Sequence, residues 1–248
     1  MTAWHEDERF WKMFGSAMFT QERMAAAEWD VDGILEIAPT PPQGRVLDMF
    51  CGPGRHVLEF ARRGFEVTGV DRTQAYLDQA AASAAEENLQ VELVQADGRR
   101  FIRRNTYDLA VNLYTSFGYF ENPQEDVQMA RALYESLKPG GKLVIEMIGK
   151  EVIARDFRAR SWRQFSDFMM LEERRLRDDF GWLESRWIII KDGAQREITI
   201  GHRIYSATEI KSLLLSCGFA RTSAYDGLSG EPYDHRAIRL AVVAEKEY

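Results

Sequence analysis

The amino-acid sequence predicts an α/β protein with a doubly wound, mostly parallel sheet and a small antiparallel β insertion. Residues 45–71 form one βαβ pattern: an apolar strand, a turn with two glycines, a helix that ends at Gly64, and a second strand that ends on Asp71. Strand and helix patterns keep alternating as far as Met147, which favours a parallel sheet covered by helices. Residues 149–205 break this alternation with charged and aromatic extended segments, so they predict an insertion.

Composition and charge limit the class of protein. A chain of 248 residues with 45% hydrophobic residues is long enough for one sizeable core, and we expect a single domain. The formal net charge of -7 argues against a nucleic-acid partner held through its phosphates. Cys51 and Cys217 match neither a disulfide framework nor a zinc site, so no metal is expected. Neither a signal peptide nor an apolar run of about 20 residues is evident, so we expect a cytoplasmic protein with no membrane partner.

The first 38 residues mix aromatic and charged side chains at roughly helical spacing. This pattern predicts two amphipathic helices packed on the edge of the sheet. A proline- and glycine-rich stretch at residues 39–44 then ends any helix and leads into the first strand. The aromatic residues of the segment are Trp4, Phe10, Trp11, Phe14, Phe19 and Trp29.

The turn after the first strand is the strongest candidate for a ligand site. Gly52 and Gly54 lack the β-carbons that would keep a ligand away from the main chain, and the following helix presents unpaired N–H groups. Asp71 ends the neighbouring strand, where a carboxylate can accept hydrogen bonds from both hydroxyls of a ribose. A dinucleotide site would use the same acid, but Val57 stands where its G-x-G-x-x-G pattern needs the third glycine. An NAD(P)-type nucleotide-binding oxidoreductase remains an alternative.

The remaining elements of the alternation follow in order. Thr73 is a suitable N-cap for the next helix, and Asp97 comes directly after the third strand. The fourth strand runs into an aromatic segment, residues 114–120, at the carboxyl end of a parallel strand, so residues 112–119 are expected to face the ligand crevice. The predicted bounds are a helix at Gln74–Glu87, strands at Val91–Ala96 and Tyr107–Leu113, a helix at Gln124–Leu137, a proline-glycine stop at Lys138–Gly141 and a strand at Lys142–Met147.

The insertion contains three extended segments, Met169–Arg175, Leu183–Ile190 and Glu197–Tyr205. They predict a small antiparallel sheet that serves either as a lid over the site or as a dimer contact. Its many arginines can attract an anionic substrate, but pairing with the neighbouring acids is the expected role.

The chain ends with a helix and two strands. Ser206 and Glu209 form a capping box for a helix that reaches Cys217. The strands are predicted at Phe219–Tyr225 and Ala237–Glu245.

Two strings of the sequence resemble a known family. VLDMFCGPG at 46–54 and LKPGGKLVIEM at 137–147 resemble motifs of the class I, Rossmann-like S-adenosylmethionine-dependent methyltransferases, with Phe50 where that family often carries glycine. The resemblance implies a seven-stranded sheet that ends in a C-terminal antiparallel hairpin. It also implies one methyltransferase domain over 1–248, with an N-terminal helical lid (1–38), a Rossmann-like core (39–148 and 206–248) and the antiparallel β insertion (149–205) over the site.

The same resemblance implies an enzyme that uses S-adenosyl-L-methionine and releases S-adenosyl-L-homocysteine. The acceptor is expected to be an O, N or C nucleophile of a small molecule, methylated mainly through proximity and in-line orientation. Residues 112–115 read Asn-Leu-Tyr-Thr and lack the Asn-Pro-Pro-Tyr motif of the adenine and glutamine N-methyltransferases, which argues against a flipped base or an amide. An RNA or protein methyltransferase is a further alternative, and a monomer or homodimer is expected.

The resemblance also assigns site residues. Arg23 suits the methionyl carboxylate, although a surface salt bridge is its expected role. Asp71 suits the ribose and Asp97 the adenine amino group, with a cap of the next short helix as the alternative for Asp97. No catalytic residue is assigned; the candidates are Tyr114 and three histidines, because histidine titrates near neutral pH: His56, His202 and His235. The predicted cofactor-binding residues are Phe14, Phe19, Arg23, Phe50, Cys51, Gly52, Gly54, Asp71, Arg72, Tyr76, Ala96, Asp97, Gly98, Asn112, Leu113, Tyr114 and Phe117.

Overall fold

The computed structural model describes residues 3–247, so the ends of the predicted ranges at residues 1, 2 and 248 lie outside it. A short 3₁₀ helix (Trp4–Glu6) is followed by the helices α1 (Glu8–Met18), α2 (Gln21–Ala25), α3 (Ala27–Ile37), α4 (Arg55–Arg62), α5 (Gln74–Glu86), α6 (Pro123–Ser136), α7 (Lys150–Asp156) and α8 (Ala207–Ser216). The strands are β1 (Arg45–Met49), β2 (Glu66–Asp71), β3 (Val91–Gln95), β4 (Tyr107–Asn112), β5 (Leu137–Met147), β6 (Arg160–Gln164), β7 (Met169–Arg177), β8 (Trp182–Lys191), β9 (Ala194–Arg203), β10 (Arg221–Asp226) and β11 (Leu240–Glu245). None of the helices described is long and apolar enough to cross a membrane.

Seven strands form the main sheet, in the order β10-β11-β5-β4-β1-β2-β3. Five neighbouring strands of this sheet pair in parallel, in the order β5-β4-β1-β2-β3, whereas β11 is antiparallel to both β5 and β10. Successive residues of a strand point to opposite faces. Leu47 and Leu143 accordingly pack in a core on one face, and Val46 and Val144 in a core on the other. This arrangement confirms the predicted fold class.

The Lys-Pro-Gly-Gly string forms a bulge inside β5, and the predicted stop between helix and strand is wrong in this respect. Tyr107 of β4 pairs with Leu137, but Leu109 already pairs with Lys142, so four residues of β5 bulge opposite one of β4. Gly141 has no room for a side chain, because a β-carbon there would lie 2.9 Å from the carbonyl oxygen of Lys138. The string therefore shapes a strand that begins before the glycines.

The insertion folds as a separate antiparallel sheet in the order β6-β7-β8-β9. The three predicted extended segments correspond to β7, β8 and β9, which confirms the antiparallel insertion. The edge strand β6 was not predicted, because most of its side chains are exposed and its sequence does not alternate apolar with polar residues. One face of this sheet packs Met170, Ile189 and Ile200 against the N-terminal segment.

The N-terminal segment divides between the two sheets. Val31 and Ile34 of α3 pack on the core of the main sheet, as predicted. Phe10 and Phe14 of α1 pack instead on the four-stranded sheet, so placing both helices on the edge of the main sheet is wrong for α1. The reason is that the insertion supplies an apolar face of its own, which sequence spacing within α1 cannot reveal.

Candidate active site

A cavity of about 300 Å³ lies at the carboxyl ends of β1, β2 and β4. Its floor comes from the turns that follow these strands, and its other walls come from the N-terminal segment and from β8 and β9. The carboxyl edge of a parallel sheet is where α/β proteins bind ligands. The cavity therefore brings Cys51 and Gly52 of the predicted turn together with residues of the insertion.

The turn after β1 adopts a conformation that its glycines make possible. Gly52 and Gly54 have φ angles of 53° and 84°, in the left-handed region. A β-carbon on Gly54 would lie 2.6 Å from the Ala80 side chain, and one on Gly52 would lie 3.1 Å from the Phe19 ring. Gly52 lines the cavity, whereas Gly54 shapes the start of α4 against α5.

Asp71 braces this turn from the end of β2. Its carboxylate accepts hydrogen bonds from the N–H of Gly52 at 2.9 Å and from the N–H of Thr73 at 2.8 Å. Burial raises the pKa of the Asp71 carboxyl, and the backbone hydrogen bonds oppose that rise. Each oxygen of a carboxylate can accept more than one hydrogen bond. The group can thus hold the turn and still accept ribose hydroxyls.

Asp97 lies beyond β3 at the next position along the edge. Arg99 donates to both of its oxygens, at 2.9 and 3.1 Å from Nε, and this hydrogen bonding lowers the pKa of the Asp97 carboxyl. Arg99 also lies 3.5 Å from Glu6, which accepts a hydrogen bond from Arg72 at 2.9 Å. The N-terminal 3₁₀ helix is therefore tied to the residues beside both Asp71 and Asp97.

Two buried side chains near the glycine turn each have one polar atom without a hydrogen-bond partner. Among the side chains that the structure describes, Asp48 Oδ2 and Arg55 Nη2 have no hydrogen-bond partner. Burial raises the pKa of Asp48 to about 7. The other nitrogen of Arg55 pairs with Asp30 at 3.1 Å. A carboxyl group and a guanidinium that each need a partner suit the ammonium and carboxylate of an amino acid, so the chain fits the methionyl end of S-adenosylmethionine.

Three guanidinium groups surround the ring of Tyr114. Their central carbons lie 3.7 Å (Arg55), 5.3 Å (Arg239) and 5.8 Å (Arg23) from the ring centroid. Arg239 pairs with the buried Glu146, and burial lowers the pKa of Arg239 to about 10. Arg23 donates to the carbonyl oxygen of Met18 at 2.8 Å and has no acid partner among the described residues. Arg23 is thus the guanidinium best placed to accept an additional anion.

The loop after β4 is held in a strained conformation. Tyr114 and Thr115 have φ angles of 57° and 60°, which L-residues rarely adopt. Glu146 of β5 accepts the N–H of Tyr114 at 2.8 Å with its side chain and the N–H of Thr115 at 3.0 Å with its carbonyl oxygen. These bonds fix the loop at the point where the sheet meets the cavity.

The wall opposite the glycine turn belongs to the four-stranded sheet. Trp187, Ile200 and His202 line the cavity from β8 and β9. His202 Nε2 is buried and has no hydrogen-bond partner within the described part of the chain. Burial lowers the pKa of His202 to about 4, so its imidazole is neutral near pH 7.

The comparison with known proteins agrees with this geometry. Residues 46–141 match the model of a methyltransferase domain family. The crystal structure of a S-adenosylmethionine-dependent methyltransferase from Clostridium acetobutylicum has the same fold, with a TM-score of 0.79 at 14% identity over 97% of this chain and 98% of that one. Over residues 46–141 the chain therefore matches a methyltransferase domain, and as a whole it has the fold of solved S-adenosylmethionine-dependent methyltransferases. The methyl donor of this family is S-adenosylmethionine, and the match decides against the alternative of an NAD(P)-type oxidoreductase.

Curated relatives of this methyltransferase domain differ in what they act on. A 23S rRNA (uracil(1939)-C(5))-methyltransferase of Bordetella pertussis is 32% identical over 127 residues, which are 49% of this chain and 26% of that protein. The chain thus spans about a quarter of the length of this relative. A cypemycin N-terminal methyltransferase of Streptomyces is 25% identical over 213 residues, which are 84% of this chain and 85% of that protein.

Most of the predicted site residues of the methyltransferase domain meet at the cavity. Those that line it are Phe19, Arg23, Phe50, Cys51, Gly52, His56, Asp71, Arg72, Tyr76, Ala96, Asp97, Gly98, Leu113, Tyr114 and His202. Besides Gly54, four predicted site residues do not line the cavity. Phe14 and Phe117 are buried in cores, Asn112 donates to the carbonyl oxygen of Met49 at 2.9 Å, and His235 is exposed.

Several cavity residues were missed from the sequence. Asp48 and Arg55 flank the glycines of the first motif, so the motif itself was an available signal. His5, Trp187 and Arg239 come from distant segments, and only the folded chain brings them to the cavity. Thr115, Ser116 and Tyr119 lie in the segment predicted beside the crevice but were not named one by one. The remaining cavity residues without a prediction as site residues are Trp4, Phe10, Trp11, Met18, Thr73, Phe120, Ile148 and Ile200.

Proposed function

We propose that this protein transfers the methyl group of S-adenosylmethionine to an O, N or C nucleophile of a small molecule. One observation carries the proposal: the same cavity has the donor motifs on one side and, on the other, a wall supplied by the four-stranded sheet. Sites for small molecules are mostly apolar cavities of this kind, with a few polar groups. Trp187, Ile200 and His202 fit that description on the acceptor side.

The donor side holds the cofactor through groups of opposite chemistry. Asp71 would accept hydrogen bonds from the ribose hydroxyls, and Asp97 would bind the adenine amino group. Asp48 would bind the methionyl ammonium, while Arg55 and Arg23 would bind the carboxylate. When bound, S-adenosylmethionine supplies an electrophilic methyl group on a sulfonium. The protein then has to orient an acceptor in line with that methyl group, which accounts for much of the rate gain in such reactions.

The N-terminal segment supports a small acceptor rather than a polymer. Trp4 donates to the carbonyl oxygen of Gly201 at 2.9 Å, and Tyr76 donates to that of Trp11 at 2.8 Å. These bonds join the segment to β9 and to α5, so the cavity is covered from above. A covered cavity excludes water from the reaction and admits a small molecule, whereas an RNA strand needs an open, basic groove. The net charge of -7 agrees with this choice.

The test is a methyl-transfer assay with S-adenosylmethionine carrying a radioactive methyl group. The protein is incubated with sets of amines, phenols, hydroxylated sugars and carboxylic acids, and in parallel with total RNA and with denatured protein. We expect S-adenosylhomocysteine release and label transfer with at least one small-molecule set. Label in RNA or protein alone contradicts the proposal and favours a polymer acceptor. The Asp71→Ala variant is the control for transfer that does not depend on the site.

A further inference from the structure

Unpartnered buried atoms divide the cavity into a donor side and an acceptor side. Of the described side-chain atoms that are buried without a partner, three belong to residues of the cavity: Asp48 Oδ2, Arg55 Nη2 and His202 Nε2. A buried polar atom without a partner is costly, so such atoms in a cavity mark where a ligand completes the bonding. Asp48 and Arg55 belong to the donor motif. His202 lies on the opposite wall and is left for the acceptor.

The fold holds His202 in place from both sides. Ile198, Ile200 and His202 share one face of β9, and the two isoleucines pack in the core shared with α1. The neighbouring Gly201 accepts the hydrogen bond from Trp4, and the N–H of Arg203 donates to the carbonyl oxygen of Gly118 at 2.7 Å. His202 is thus fixed between the N-terminal segment and the loop after β4.

The other side chains that could accept a proton are already engaged or lie elsewhere. His56 Nε2 lies 2.9 Å from Asp30 Oδ2. His5 stacks near Tyr119 and belongs to the 3₁₀ helix that is tied to the adenosine side. Tyr114 lies beneath the guanidinium of Arg55, and His235 is exposed outside the cavity.

We propose that His202 Nε2 binds the nucleophilic O–H or N–H group of the acceptor and takes its proton during methyl transfer. This inference rests on the proposed function. The lone pair of the nucleophile forms the new bond to the methyl carbon, and the electron pair of the broken S–C bond returns to sulfur. The proton of the nucleophile passes to Nε2 and leaves an imidazolium. Before the reaction the imidazole is neutral, since burial lowers its pKa to about 4. In the tautomer that carries its hydrogen on Nδ1, the Nε2 atom can accept a proton.

The kinetic test compares His202→Gln with wild type on the acceptors that wild type methylates. Glutamine can still hydrogen-bond an acceptor group, but it cannot take a proton near neutral pH. We expect kcat to fall about 100-fold or more, as for loss of a general base, with the KM of the acceptor changed less than about threefold. The affinity for S-adenosylhomocysteine should stay the same, because His202 lies away from the donor motifs. His235→Gln makes the same substitution outside the cavity and is the matched control.

A binding measurement that does not depend on turnover completes the test. The chain has four histidines, so the ring signals of His202 in an NMR spectrum are identified by their loss in His202→Gln. The unmethylated acceptor is added to the complex of the protein with S-adenosylhomocysteine. This addition should shift the His202 signals and leave those of His235 unchanged. Unshifted His202 signals, or an unchanged kcat in His202→Gln, overturn this inference and leave the proposed function intact. If wild type methylates no small molecule, the proposed function fails, and the role of His202 fails with it.

Discussion

At the residue scale, Asp48 shows how the fold keeps a donor-binding group in an unfavourable state. The residue is 2% exposed, and one of its oxygens has no partner among the described residues. Its pKa of about 7 means that the native protein has to bury a negative charge at higher pH. A cationic ligand group next to this carboxylate removes the penalty. A charged Asp48 thus lowers the stability of the ligand-free protein and should raise its affinity for a ligand with a cationic group.

Asp48→Asn should therefore separate stability from binding. The native carboxyl keeps its proton up to about pH 7 and the unfolded one loses it near pH 4, so the stability of wild type falls as pH rises between these values. Asparagine carries no charge. The variant should gain more stability over wild type at pH 8 than at pH 5, by roughly 2 kcal/mol. Its affinity for S-adenosylhomocysteine should fall about tenfold, because the charged partner of the ammonium is lost.

Unfolding by denaturant at the two pH values, without ligand, and calorimetry with S-adenosylhomocysteine are the measurements. Asp78→Asn, at an exposed position of α5, is the control for loss of one negative charge. An advantage of the same size at pH 5 and pH 8 contradicts the raised pKa of Asp48.

At the scale of elements, the N-terminal segment closes the cavity through few contacts. Glu6 of the 3₁₀ helix reaches Arg72 and Arg99, which lie beside the ribose and adenine acids. These ion pairs are partly exposed, so each contributes about 0.2–1 kcal/mol. We infer that this segment opens and closes over S-adenosylmethionine, because contacts of this strength break and re-form readily.

Glu6→Gln should speed the release of S-adenosylhomocysteine. We expect a roughly two- to thirtyfold faster dissociation, which is the rate equivalent of losing these two pairs. Trp4, Trp11 and Trp187 line the cavity, so stopped-flow tryptophan fluorescence can follow release. Glu8→Gln removes an equal charge at the start of α1 and should leave the rate unchanged. Equal rates in both variants and wild type would show that Glu6 does not hold the segment closed.

At the scale of the whole molecule, both sheets and the N-terminal segment contribute residues to the same cavity. A ligand that binds only the folded chain stabilises all of them together. The gain is about 2.7 kcal/mol at a ligand concentration of 100 times the Kd. A protein of this size gains about 2–4 °C in Tm for each kcal/mol.

S-adenosylhomocysteine at that excess should raise the Tm by about 5 °C or more, whereas NAD⁺ and NADP⁺ should leave it unchanged. A thermal unfolding scan with each ligand measures the effect. In Asp71→Ala most of the rise should disappear, because the ribose acid and the brace of the glycine turn are both removed. A rise with NAD⁺ and none with S-adenosylhomocysteine would be incompatible with the donor site.

Features that depend on residues close together in the sequence were predicted well, and features that depend on distant residues were not. Arg55–Arg62, Gln74–Glu86 and the capping box at Ser206 lie within one or two residues of the sequence prediction. Each is decided by hydrophobic period, glycine position or a local hydrogen bond. The edge strand β6 and the bulge in β5 escaped prediction, because pairing with another strand creates them.

The sequence by itself determined the donor side: the glycine turn, Asp71 and Asp97 follow consecutive strands of one βαβ repeat, whose carboxyl ends must meet at the same edge. Only the tertiary structure decided the acceptor side. Trp187, Ile200 and His202 lie in the insertion, at positions that resemble those of any half-buried strand. They face the same cavity because the N-terminal segment and the four-stranded sheet bury their apolar faces against each other. That burial is a property of two distant surfaces, and no local pattern encodes it.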